Sequence, residues 1–150
     1  MKTYIKIALF IVVFIALSGI LAALYLYNLK HTDMSKAKPD FIVTAPVLQK
    51  AFEDDETKAS AKYINKIVEV SGTIASTTPA GNNVLNISLV TGSDISSVIC
   101  TLPAISNPSK FKTGDNITLR GECSGFTQLI SGEPPLDVLL NNCAAITAKN

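Results

Sequence analysis

Apolar and polar positions follow three different rhythms along the chain. From Ile7 to Tyr27, "IALFIVVFIALSGILAALYLY", 21 residues pass without one charged side chain. A helix of that length rises about 31 Å at about 1.5 Å per residue, which matches a bilayer's hydrocarbon core of about 30 Å. Lys2 and Lys6 precede the run. Tyr25 and Tyr27 fall where an interfacial aromatic belt would lie, ahead of Lys30 and His31. The pattern predicts a short tail over 1–6, a single N-terminal transmembrane helix over 7–27, and a polar tether over 28–43. A cleavable signal peptide is the competing reading. Its apolar region is usually about 7–15 residues long and ends in a small-x-small site; here Leu21 and Leu24 flank the alanines.

The second rhythm is helical. Thr44 can cap a helix whose first turn tolerates Pro46, and Val47, Leu48, Ala51 and Phe52 fall on one apolar stripe. The acidic cluster Glu53 to Glu56 is unfavourable at a helix carboxy end. The helix is therefore expected to fray or re-cap there and resume toward Tyr63.

From Lys66 onward the period is two. Val68, Val70 and Ile74 share one face, as do Leu85, Ile87 and Leu89, then Val98, Cys100 and Leu102, then Ile117, Leu119, Gly121 and Cys123, then Val138 and Leu140. Gly72 stands mid-strand, where a glycine often marks a bulge or bend. "TPAGNN", Thr78 to Asn83, is turn material. Five short alternating strands preceded by a helix predict a mainly β domain over 44–148: a five-stranded, OB-like Greek-key barrel with the helix covering one end.

Charge narrows the partners. The whole chain is formally +1, but residues 39–150 hold eight basic against eleven acidic side chains, a net charge near −3. A surface that releases counterions from phosphates should be basic, and nucleic acid is disfavoured on this ground. Tyr63, Phe111, Phe126, Lys110, Lys112 and Arg120 are what a single-strand groove could draw on, although Phe111 and Phe126 fit loop anchors in the core better. The domain has no histidine, since the sole one is His31, and no phosphate-cradling glycine loop. An enzyme is not expected, nor is a cofactor.

The three cysteines stand 23 and 20 residues apart, without a CxxC, so zinc and thioredoxin-like chemistry are disfavoured. Two structural readings stay open. Cys123 and Cys143 end consecutive strands and could form a bridge in an oxidising compartment; alternatively they are free core thiols. Cys143 is out of phase with Val138 and Leu140, so it points inward only if a bulge near Asn141–Asn142 shifts the register. No cysteine precedes Cys100, which leaves none near the amino terminus for lipid attachment.

"LQKAFEDDETKASAKYINKIVEVSGTI", "VICTL", "FKTGDNITLRGECSGF" and "LDVLLNNCAAI" together resemble the tRNA-anticodon-like OB-fold family of exported bacterial proteins, over roughly Leu48 to Ile146. The resemblance implies an OB barrel preceded by a helix, in cell-envelope proteins that are often lipoproteins. It carries no ligand and no site residues, and shared fold does not transfer RNA binding. The OB ligand surface is the face of strands 2 and 3 with the adjoining loops. Here that selects Asn86, Ser88, Ser97, Thr101 and the Ser124 to Pro135 loop with Phe126. These are mostly uncharged positions, suited to a protein or small polar ligand. The expectation is a non-catalytic, single-pass protein of the bacterial cell membrane whose carboxy-terminal domain lies in the periplasm.

Overall fold

The computed structural model describes residues 14, 16–21, 33–81, 83–93, 95–103, 108–128 and 137–146. Contacts divide the chain into two units, Met1–Thr32 and Asp33–Asn150. In the first, residues 14 and 16–21 are helical, and Phe14, Leu17, Ile20 and Leu21 are exposed. The tail 1–6 and most of the expected span 7–27 lie outside the described residues. Among those described, no helix is long and apolar enough to cross a membrane.

The second unit opens with β1 (Phe41–Thr44), followed by α1 (Ala45–Asp54) and α2 (Glu56–Tyr63). Then come β2 (Ile67–Gly81), β3 (Val84–Val90), β4 (Ser97–Leu102), a 3-10 turn at Pro108–Lys110, β5 (Asn116–Thr127) and β6 (Asp137–Ala145). β2 pairs antiparallel with both β3 and β5, and β3 with β4; β4 runs parallel to β6, which returns antiparallel to β5. These pairings lead back to β2, so five strands form a hydrogen-bonded ring. A ring leaves few free edges for another chain to pair with.

The inward residues are the ones the alternation selects. Val68, Val70, Ile74, Leu85, Ile87, Leu89, Val98, Cys100, Leu102, Leu119, Cys123, Val138 and Leu140 form one buried core. At β6 the phase changes. Asn142 adopts φ 52°, and the β5–β6 register slips between Arg120 and Glu122, so Cys143 turns inward as well. The conditional bulge of the sequence is present.

α1 packs against β2, β3, β4 and β6 and covers one end of the ring. Its buried face is Ala45, Leu48, Gln49 and Phe52. Val47, expected on that stripe, is exposed, because the helix is rotated to bring Ala45 against the ring. Asp55 re-caps the chain by accepting from the Lys58 amide at 3.0 Å, and α2 continues to Tyr63. The Lys58 side chain and amide hold the Asp55 carboxyl below its ordinary value.

Two stretches differ from the expected organisation. Part of the tether is strand and bound coil: β1 runs parallel to β2, with Phe41 opposite Val68 and Val43 opposite Val70, and Met34 is buried. "TPAGNN" is not all turn either. β2 runs on to Gly81, because Thr78 pairs with Asn86 and Pro79 with Leu85; the reversal is left to Asn83, at φ 61°.

Gly121 has no room for a side chain. A Cβ there would overlap the Cys143 sulfur and stand 2.9 Å from the Asn141 carbonyl oxygen. Overpacking of this kind typically costs about 1–3 kcal/mol. Gly121→Ala is expected to lower stability by about 2 kcal/mol in urea unfolding. In a Cys143→Ala background the same change should cost measurably less; equal costs in the two backgrounds would show that the sulfur is not what fills the space.

A candidate binding face and cleft

Because Leu85, Ile87 and Leu89 fill the core, the even-numbered residues of β3 face out. Cross-strand pairs set the surface: Asn86 opposite Thr101, Ser88 opposite Ile99, and Val90 opposite Ser97. β2 extends it with Ser76 and Thr78, and β6 with Asp137 and Leu139. Four of the five ligand-face residues read from the sequence, Asn86, Ser88, Ser97 and Thr101, therefore share one half-buried surface. The Thr101 hydroxyl donates to Asn86 Oδ1 at 2.9 Å. Ser97 donates to Asp137 Oδ1 through its amide at 3.0 Å and its hydroxyl at 2.6 Å. These bonds fix the rotamers, so the face is stiff and mixed in polarity. No Lys or Arg stands among the ten residues these pairings name.

Phe126 does not belong to it. Its ring packs against the core, with its centroid 5.5 Å from that of Phe52, because β5 continues as strand through Thr127 rather than ending at Cys123. Most of the remaining Ser124 to Pro135 loop lies outside the described residues.

A cleft of about 870 Å³ opens elsewhere, between the start of α1 and the β2–β5 pairing. That is within the usual size of a small-molecule site, about 300–1,000 Å³. Thr73 donates to Asn116 Oδ1 at 2.9 Å on its wall, Ile117 and Phe111 give apolar surface, and Lys110 and Asp115 bring one charge of each sign. Sequence patterning did not find this cleft. Its walls come from residues 44 to 146, brought together by the bend of β2.

The basic and aromatic residues that a single-strand groove would need are largely engaged. Arg120 bonds Glu69 Oε2 through Nε at 3.0 Å and Nη2 at 2.5 Å, and Ala37's carbonyl through Nη1 at 2.5 Å. The pair is mostly shielded, with 13% and 17% of the two side chains exposed. Tyr63 is core, and Lys62 Nζ lies 4.8 Å from the centre of its ring. Only Lys110, Lys112 and Phe111 of that group lie near open surface.

The three cysteines are buried free thiols, and no Cys123–Cys143 bridge is formed. The bulge seats the Cys143 sulfur over Gly121, whereas Cys123 stands two residues further along β5, opposite Leu140. The Cys100 S–H donating toward Cys143, then burial, raises the Cys100 thiol well above its ordinary value. Burial raises Cys123 too, against the opposing pull of the Gly125 backbone. Among the described residues no group of His, Cys, Asp and Glu could hold a metal ion.

Comparison with known proteins now decides the family. A match to the tRNA_anti-like family spans residues 1–143. The chain belongs to the tRNA_anti-like family. No curated protein sequence matches it. Among solved structures, one similar to this tRNA_anti-like chain is a lipoprotein of Klebsiella pneumoniae subsp. pneumoniae MGH 78578, provisionally described as nucleic acid-binding. It is 15% identical with a TM-score of 0.50, over 70% of this chain and 91% of that one. An OBody bound to hen egg-white lysozyme overlaps at 13% identity and a TM-score of 0.38, over 59% of this chain and 88% of that one. The asparaginyl-tRNA synthetase of Entamoeba histolytica overlaps at 14% and 0.37, over 57% of this chain and 22% of that one. The first of these likenesses is one of fold.

Removing one partner of a shielded ion pair leaves the other desolvated and typically costs about 3–5 kcal/mol when burial is complete. With the exposure seen here, Arg120→Met is expected to cost about 2–3 kcal/mol in urea unfolding. It should also release the amides of Lys36 and Ala37 to hydrogen exchange. Arg120→Met combined with Glu69→Leu should recover part of the stability but not the protection. Protected amides in Arg120→Met would mean that the guanidinium does not hold this segment.

Proposed function

We propose that this protein is a non-catalytic binding module, anchored in the bacterial cell membrane by its N-terminal segment, with an OB barrel outside the cytoplasm. The barrel presents the outer face of β3 and β4 to an uncharged polar partner, a protein surface or a small polar ligand. One observation carries the reading. The four residues that the fold's usual ligand surface selects form a cation-free patch of amide and hydroxyl groups, braced at one end by the Asp137 carboxylate and interleaved with Val90, Ile99 and Leu139. The charge of the domain, near −3, points the same way. The membrane anchor is supported by the uncharged run 7–27 and by the exposed Phe14, Leu17, Ile20 and Leu21 of its described part. The likeness in fold to a lipoprotein is in keeping with export.

A nucleic-acid-binding OB domain is the second reading. The description of the Klebsiella lipoprotein favours it, together with Lys110, Lys112 and Phe111 beside the cleft. Fluorescence titration of the full chain in detergent with a labelled oligothymidylate separates the two. The uncharged-partner reading expects no saturable binding below about 100 µM at physiological salt, weaker than typical non-specific DNA binding. Micromolar or tighter binding would establish the second reading if it weakens steeply with salt and Lys110→Ala/Lys112→Ala flattens that slope.

The first reading has its own positive test. A photo-crosslinking residue at Ser88, in cells expressing the full chain, should yield a discrete adduct in the membrane fraction, while one at the exposed Lys50 on α1 should not. A tag fused after Asn150 should be open to protease from outside the inner membrane. A tag protected there, or equal adducts from both positions, would remove the proposal.

A further inference from the structure

The cleft beside α1 shares only Val90 with the outer face of β3 and β4, and its wall has a chemistry of its own. Thr44 on β1 lies opposite Ser71 on β2, and Ser71 lies opposite Thr118 on β5. Residues in register on neighbouring strands share one face of a sheet, with about 4.8 Å from strand to strand. Three hydroxyls therefore stand in a row across three strands. Thr44 precedes α1 without a side-chain bond to it, and among the described residues none of the three hydroxyls has a hydrogen-bond partner. The next pair on that face, Thr73 and Asn116, bond each other instead. Half-buried Phe111 and Ile117 line the same cleft and pack on the core, so its apolar surface is fixed. Lys110 and Asp115 line it from exposed positions. The backbone at Asp115 is tied to β2: its carbonyl accepts from the Ile74 amide, and the Gly114 amide donates to the Ile74 carbonyl, each at 2.9 Å.

We propose that this cleft binds a short apolar peptide with free termini, its carboxylate at Lys110 and its ammonium at Asp115. Each part of the wall fits one part of such a ligand. A hydroxyl both donates and accepts, and each peptide unit carries one donor and one acceptor, so the row Thr44, Ser71 and Thr118 can pair with ligand amides of either sense. Phe111 and Ile117 take the apolar side chains. One charge of each sign matches a zwitterion, whereas a polyanion brought to Lys110 would meet Asp115 on the same lining. The volume of about 870 Å³ is toward the large end of small-molecule sites, which suits a peptide better than a single amino acid. Such binding is independent of any partner on the outer face of β3 and β4.

The isotope-labelled full chain in detergent is followed by amide NMR during titration with Leu-Ala-Leu, its amino-acetylated form and its carboxy-amidated form. Leu-Ala-Leu is expected to shift the amides of Ser71, Thr73, Ile117 and Thr118 saturably, with a Kd of about 1 mM or tighter. Lys110→Gln should weaken it about two- to five-fold, the worth of an exposed ion pair, and leave binding of the carboxy-amidated form unchanged. Asp115→Asn should weaken Leu-Ala-Leu to a similar extent and leave the acetylated form unchanged. Thr118→Val, which removes only the hydroxyl, should weaken all three peptides about five-fold. The assignment is overturned by any of four results: no saturation by about 10 mM, shifts centred on Asn86, Ser88 and Thr101, charge variants that weaken blocked and free peptides alike, or an oligothymidylate that shifts the same amides more tightly than the peptide does. Lys110 and Asp115 are exposed, so the two charge variants answer the question even if Thr118→Val loses stability.

Discussion

Everything in the domain depends on one strand serving two neighbours in succession. Residues 67–73 of β2 pair with β5, while from Ile74 onward the same strand pairs with β3. A flat strand of that length could not serve both, because the ring must turn between them. Gly72 stands at the turn: a Cβ there would sit 3.2 Å from Ala45 Cβ and 3.5 Å from Leu89 Cβ. The missing side chain thus lets the strand coil and lets α1 seat against it. Without that bend the outer face of β3 and β4, the cleft and the end cap of the ring would all lose their geometry.

The early half of β2 has a second edge that β3 does not reach, and β1 takes it in parallel. Parallel strands need a crossover connection, and α1 and α2 supply it. Arg120 finishes the arrangement from the far side. Glu69 and Arg120 face each other across β2 and β5, and the guanidinium reaches past that pair to the Ala37 carbonyl. A residue whose charge alone suggested a polyanion groove therefore closes the approach to the domain. Desolvating a guanidinium is costly, and the two carboxylate bonds with a backbone carbonyl are what offset it.

The strand faces were legible because a ring with one filled interior enforces period two strictly. Ile87 or Val138 could not be moved one place without exposing a whole set of apolar side chains. The five strands and the bulge before Cys143 could be read on that ground, and the helix re-cap at Asp55 from the acidic cluster set against the helix dipole. β1 could not. "FIVT" alternates too briefly to separate from a tether, and its partner lies 27 residues away in sequence. Phe126 was open to two readings for a related reason: a strand that outlasts its apolar alternation looks like loop, and its packing on Phe52 favours the core anchor over the ligand face. The cleft left no local signal at all, since Thr44, Gly72 and Ile146 meet there only after the ring has closed.

The two surfaces ask for different chemistry from one scaffold. Thr101 already bonds Asn86, and Ser97 bonds the Asp137 carboxylate, so these groups are held in fixed positions and a partner would give up little binding energy to ordering them. Such a surface recognises by shape and by spare lone pairs. It has no cation with which to hold a phosphate. Lys110 lines the other opening together with Asp115, in a domain of net negative charge. The chain's one guanidinium is held on the outer side of the ring by Glu69 and the Ala37 carbonyl, and three thiols share the interior with branched apolar side chains. Charge therefore separates the two surfaces: one carries a carboxylate and no cation, the other one charge of each sign.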